Sequence, residues 1–233
     1  MKRVGHKGAD GILPGNTRSS FDAALGAGVD MIEFDVLPDR HSDGLVLAHD
    51  HRHVSADPPH TLDEGLAHLA TEPFAAVELN VDLKLPGYEL EVVQALRDHG
   101  LLERALISSQ FRESLALIRA ADPSVRAGWS VPKLRQDPFR SPLMWIPASA
   151  LVLALRQLIP IRAERAIRAG ECDALMAHWR LVTPRLVRAV GRAGGELYVW
   201  TVDEPARIQK LRRLGVTGVI SNDPRLFDKF AVT

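Results

Sequence analysis

Disulfide bonds play no part in holding this chain together. It has one cysteine, Cys172, in 233 residues. A lone thiol cannot close an internal bridge, which excludes a small disulfide-stapled fold and fits a reducing compartment. No nucleophile signature surrounds Cys172, so a packing role is expected. An excess of either sign of charge is missing as well, with 29 basic and 29 acidic residues. Nucleic-acid binders gather their lysines and arginines on one face. Here Arg162, Arg165, Arg168, Arg212 and Arg213 scatter along helix-like surfaces, and no nucleic-acid partner is expected. The start runs from Met1-Lys2-Arg3 into Val4-Gly5-His6 without the apolar stretch a secretory signal needs, so a cytoplasmic protein is expected. The most apolar stretch, Leu143 to Ile161, carries Arg156 and Gln157 and is broken by Pro147 and Pro160. That pattern disfavours a membrane span and favours a buried or interfacial helix, able to touch lipid peripherally through residues 143–161.

What is present is an alternation of short β-like runs with longer helical patterns, the signature of parallel strands joined by helical crossovers. Runs starting at Arg3, Asp30, Ala76, Ala105, Ser124, Asp173, Glu196 and Gly218 count eight, the number a closed (β/α)8 barrel requires. Leu45–Ala48 is a further β run. It follows the turn signal Asp43-Gly44 and reads as a small antiparallel excursion after strand 2. Helices are expected over Asn16–Ala27, Thr61–Ala70, Glu89–His99, Arg112–Ala121, Ser149–Ala169 (interrupted at Pro160), Pro184–Ala193 and Pro205–Leu214. Thr61 and Glu64 form a capping-box pair at the start of one of these helices. No linker or repeat divides the chain, so residues 1–233 are read as one TIM-barrel domain of the α/β class. The stretch Pro132–Pro147 is expected to lie as a long loop over the carboxyl-end face, where such barrels keep their active sites.

Glu33 and Asp35 lie two apart on one strand and so share a face, here the barrel interior. Asn80, Asp82 and Lys84 repeat the pattern on the next barrel strand. Carboxylates turned into a barrel are tolerable only if protonated, paired with lysine or arginine, or bound to a cation. Asp82 can complete a three-carboxylate site of the hard oxygen donors that suit Mg²⁺ or Ca²⁺. Lys84 can contact a substrate phosphate or hold a ligand in place. His6 and His49 each fall at a strand end, where two imidazoles can serve as general base and general acid. His41, His60, His68 and His99 read as loop or helix-surface residues. His51 and His53 form a neighbouring i, i+2 pair in a polar, proline-rich loop.

Taken in order, several segments resemble the glycerophosphodiester phosphodiesterase family. Gly5-His6-Lys7-Gly8 is similar to its His-Arg-Gly opening, and Pro14-Gly15-Asn16-Thr17 to its Pro-Glu-Asn-Thr. Glu33-Phe34-Asp35 matches a Glu-x-Asp strand, and Asp43-Gly44 with His49-Asp50 the following turn and second histidine. Asp82-Leu83-Lys84 resembles a Glu-x-Lys strand. Trp200-Thr201-Val202-Asp203 and Gly215 through Pro224 resemble the last two strands. The resemblance implies a (β/α)8 barrel, a divalent cation, and hydrolysis of a small-molecule phosphodiester to an alcohol and glycerol phosphate. It further implies Glu33, Asp35 and Asp82 as metal ligands and His6 and His49 as the acid–base pair. Lys7 and Lys84 become phosphate contacts, and Trp200 lines the alcohol site. Lys7 stands where the family has arginine, Asp82 where it has glutamate and Gly15 where it has glutamate. Two other readings remain open at this point. One is a phospholipid-headgroup phosphodiesterase or lyase releasing a cyclic phosphate. The other is a non-catalytic barrel that binds phosphorylated ligands. Oligomeric state is not assigned.

Overall fold

A computed structural model of the chain describes residues 1–50, 59–133 and 145–230. The expected loop at Pro132–Pro147 lies mostly outside the described residues, as do His51 and His53. Among the described residues, nine strands form one sheet in the order β1-β9-β8-β7-β6-β5-β4-β2-β3, and an additional β1–β2 pairing closes it. The strands are β1 (Lys2–Gly5), β2 (Met31–Pro38), β3 (Leu45–Leu47), β4 (Glu78–Leu83), β5 (Ala105–Ser109), β6 (Arg126–Val131), β7 (Ala174–His178), β8 (Glu196–Trp200) and β9 (Gly218–Ser221). Eight are parallel. β3 alone runs antiparallel, against the end of β2, with Val36 opposite Leu47. The expected barrel and its excursion are both present.

Among the described residues, seven α-helices accompany the strands: α1 (Arg18–Gly26), α2 (Leu62–Leu69), α3 (Glu89–Asp98), α4 (Arg112–Ala121), α5 (Trp145–Arg168), α6 (Pro184–Arg192) and α7 (Pro205–Leu214). Side-chain alternation explains how β2 serves two environments. Ile32, Phe34 and Val36 point outward into the core packed beneath the helices, while Glu33 and Asp35 point inward. The barrel interior is stacked in three levels. At the amino end, Lys2 and Arg126 form an ion-pair ring with Glu78 and Glu196. Above it lies an apolar plug of Val4, Met31, Leu106, Ala174, Met176, Tyr198 and Ile220. The carboxyl-end level is polar, with Glu33, Asp35, Asp82 and Ser108. The apolar plug blocks solvent from below, so chemistry can enter only from the top.

Two expectations need correction. The helix expected from Asn16 begins at Arg18, with Thr17 as its cap accepting from the Ser20 backbone N–H. Asn16 instead takes a left-handed conformation, φ 58°, which asparagine tolerates better than most residues. The interruption expected at Pro160 is absent, because α5 runs through it. Proline removes one helix hydrogen bond and crowds the carbonyl one turn back. Packing of buried Ile159, Ala163 and Ala166 into the core on either side of the proline outweighs that local cost.

Candidate active site

The site is built from the carboxyl ends of the strands inward. β2 and β4 pair with Glu33 opposite Asn80 and Asp35 opposite Asp82. That register puts the acids of both strands at the same level. Glu33, Asp35 and Asp82 each offer an oxygen, and these oxygens all lie within 4.8 Å of one another. The sequence-level expectation that three acids converge is met by the geometry.

Part of the balancing charge belongs to the protein itself. Lys84 Nζ lies 2.6 Å from Asp35 Oδ1 and 2.6 Å from Asp82 Oδ2. Burial alone would lower the Lys84 pKa, but the charges of Asp35 and Asp82 outweigh it and raise it. Burial likewise acts to raise Asp35, yet the Lys84 ammonium and the His49 hydrogen bond hold it well below the usual carboxylate range. Among the described residues, no ammonium pairs directly with Glu33, and the charge of Lys84 only partly offsets what raises it. Burial, then the charge of Asp35, push its pKa well above the ordinary value. Its closest donor is the backbone N–H of Lys7, at 2.9 Å. Three carboxyl groups against one bridging ammonium leave two negative charges to balance when all are ionised. A divalent cation matches that deficit, and the oxygen-only donor set suits a hard ion. The residues present therefore fit such a group.

The His6-Lys7-Gly8 turn brings two functions to this cluster. Lys7 and Gly8 both have positive φ, at 50° and 83°. A Cβ on Gly8 would meet Ser20 Oγ at 2.6 Å, so only glycine fits where the turn presses on α1. The turn aims the Lys7 N–H at Glu33 and sets His6 Nε2 3.9 Å from Glu33 Oε2. His6 Nδ1 lies 2.6 Å from Asn222 Oδ1. Burial, then the positive charge of Lys7, lowers the pKa of His6. His49 follows β3 and places Nδ1 3.1 Å from Asp35 Oδ2. The Lys7 ammonium pairs with Asp10 at 3.4 Å. Trp200 ends β8, its Nε1–H donating to the Met176 carbonyl, and its ring stands edge-on to His178 with centroids 5.1 Å apart.

Several contributing residues have no role assigned from sequence. Asn16 holds Asp35 from two sides, donating Nδ2–H to its carboxylate at 3.1 Å and accepting its backbone N–H at 3.0 Å. Ser108 donates to Asp82 Oδ1 at 2.7 Å, and Ser130 reaches the same oxygen at 3.3 Å. His178 joins Trp200 on the far wall. For Asn16 the available signal is its place in Pro14-Gly15-Asn16-Thr17, the segment similar to the family's Pro-Glu-Asn-Thr. The serines and His178 gave none, since single polar residues at strand ends are common. Away from the site, His68 contacts Asp22, His99 contacts Asp63, and His60 lies near Glu64, all as surface pairs. Cys172 is buried, and burial pushes its thiol up to about 11.

Known proteins with the same architecture are numerous. The chain is 24% identical to a glycerophosphodiester phosphodiesterase of Caldanaerobacter subterraneus subsp. tengcongensis, an alignment that covers 95% of this chain and 93% of the relative. The solved structure of a glycerophosphodiester phosphodiesterase from Parabacteroides distasonis superposes with a TM-score of 0.73 at 18% identity, covering 98% of this chain and 95% of that one. A phosphodiesterase from Oleispira antarctica, solved in complex with the product sn-glycerol-3-phosphate, superposes with a TM-score of 0.72 at 20% identity, covering 98% and 96%. Over residues 6–64 and 74–226 the sequence matches the glycerophosphoryl diester phosphodiesterase family, and the chain belongs to that family of phosphoric diester hydrolases.

Proposed function

We propose that this protein, one catalytic domain over residues 1–233, hydrolyses a small glycerophosphodiester to glycerol phosphate and a free alcohol. The observation that carries this reading is the convergence of Glu33, Asp35 and Asp82 within 4.8 Å, flanked by two histidines. These three residues would hold a divalent cation, Mg²⁺ or Ca²⁺ by donor chemistry. When bound, such an ion supplies neutralisation of the negative charge that builds on the phosphoryl oxygens.

The chain's own groups do the rest. His6, held neutral by burial, takes the proton of the attacking oxygen as its bond to phosphorus forms. His49 delivers a proton to the alcohol oxygen as its bond to phosphorus breaks. Lys84 and Lys7 orient the phosphate, and Trp200 with its aromatic neighbour His178 offers the alcohol an apolar wall. The attacking oxygen is that of water, or of the substrate's own adjacent hydroxyl, in which case a cyclic phosphate precedes the monoester. A panel of glycerophosphodiesters assayed with each cation and with EDTA tests the proposal. Absence of turnover on every substrate and with every cation would overturn it.

A second reading is favoured by α5. Leu151, Leu153, Leu158 and Ile161 are solvent-exposed along it, although among the described residues no helix is long and apolar enough to cross a membrane. Of these, Leu151, Leu158 and Ile161 share one side of the helix and support peripheral contact with lipid and, with it, cleavage of a phospholipid headgroup with release of a cyclic phosphate. Vesicle co-sedimentation and phosphorus NMR of the products separate the two. A cytoplasmic setting belongs to the same proposal, since the lone thiol has no disulfide partner.

A further inference from the structure

His6 is the end of a hydrogen-bond chain that runs away from the carboxylates, through Asn222 just past β9, to Asp203 in the segment after β8. Asp203 accepts three hydrogen bonds. Its Oδ1 takes the Ser221 hydroxyl at 2.9 Å and the Asn222 backbone N–H at 2.8 Å. Its Oδ2 takes the Asn222 side chain at 2.6 Å. A carboxylate has no proton to give, so the Asn222 atom facing it must be the NH2 group. The amide oxygen of Asn222 therefore faces His6, at 2.6 Å from Nδ1. That oxygen has no proton to give either. The imidazole must carry its hydrogen on Nδ1 to avoid setting two acceptors against each other. The lone pair of the neutral ring is then on Nε2, the nitrogen that looks toward the carboxylate cluster.

We propose that Asp203 and Asn222 are positioning residues that fix His6 in the Nδ1–H tautomer, so that Nε2 is the nitrogen available to take a proton from the nucleophile. This rests on the reading of His6 as the base. Neither residue reaches the reacting atoms. Asp203 stands at the solvent-exposed rim and acts only by setting the polarity of the chain. Each link has one allowed direction, and reversing the first link reverses them all.

Asp203→Asn makes that reversal directly. The new amide keeps its oxygen toward the Ser221 hydroxyl and the Asn222 N–H, and so turns an NH2 group toward the Asn222 side chain. Asn222 must flip to accept it, which presents NH2 to His6 Nδ1 and moves the ring proton to Nε2. The double variant Asp203→Asn/Asn222→Asp restores an acceptor opposite His6 while keeping every other link satisfied.

The experiment pairs steady-state kinetics with ¹⁵N NMR of histidine-labelled protein. Asp203→Asn is expected to lower kcat by about 10- to 100-fold with KM little changed, and to move the His6 proton from Nδ1 to Nε2. The double variant is expected to recover most of the rate and the Nδ1–H signature. The proposal is overturned if Asp203→Asn keeps the wild-type kcat or the Nδ1–H tautomer, or if the double variant is no more active than the single one. Turnover by His6→Ala at the wild-type rate would instead remove His6 as the base, and the tautomer measurement would still decide the hydrogen-bond chain.

Discussion

Replacing Lys84 by methionine is the sharpest physical test of the site. The substitution keeps the unbranched stem and removes the charge that bridges two acids. The Lys84 side chain is 19% exposed, Asp82 16% and Asp35 not at all, so Asp35 in particular would be left buried without the ammonium that balances it. Removing one partner from a buried ion pair costs about 3–5 kcal/mol, because the other charge is left uncompensated. For a chain of this size each kcal/mol moves the melting temperature by about 2–4 °C, giving a fall of roughly 6–20 °C for Lys84→Met in EDTA. The uncompensated charge of the ionised acid cluster rises by one, so a divalent cation should stabilise the variant more than the wild type. Thermal melts of both proteins, with EDTA and with saturating Mg²⁺ or Ca²⁺, measure both effects. An unchanged or raised melting temperature for Lys84→Met in EDTA would refute the electrostatic argument. So would a cation-induced shift smaller than that of the wild type.

Other expectations follow from neighbouring groups. A divalent cation at about 100 times its Kd should stabilise the wild type by about 2.7 kcal/mol, a rise of roughly 5–11 °C in Tm. That rise should depend on pH. The Glu33 pKa is raised in the folded protein, so its contribution to the stability of the metal-free protein is fully present below the ordinary glutamate value and is lost as pH rises through the raised value. Cation binding needs the ionised form, so the cation-induced shift should grow with pH across the same window, and a pH-independent shift in melts would refute this. His6→Ala and His49→Ala should each lower turnover by about 10²- to 10⁴-fold, and a near-wild-type rate in either variant removes that residue from the mechanism. Asn16→Ala strips two hydrogen bonds from buried Asp35. It should cost about 1–3 kcal/mol in chemical denaturation, and no measurable loss would mean that water replaces both bonds.

The eight-strand alternation, the inward pair Glu33 and Asp35, and the matching pair Asn80 and Asp82 were legible from spacing alone. Period-two alternation is a local property of an extended backbone, and a parallel barrel forces the inward residues of neighbouring strands together. The structure departs from the expected helix start at Asn16 and break at Pro160 for the opposite reason. Local propensity set the expectation, whereas a bond to Asp35 19 residues away and the burial of one helix face decided the outcome.

By itself the sequence determined the fold class and which acids could meet, because both follow from periodicities a few residues long. Tertiary structure alone decided how those acids are balanced and which way each histidine faces. The bridge from Lys84 to Asp35, the serine bonds to Asp82 and the chain from Asp203 to His6 join residues that only closure of the barrel brings within reach. Hydrogen bonds and ion pairs act over a few ångströms of space regardless of distance along the chain, so no local pattern announces them.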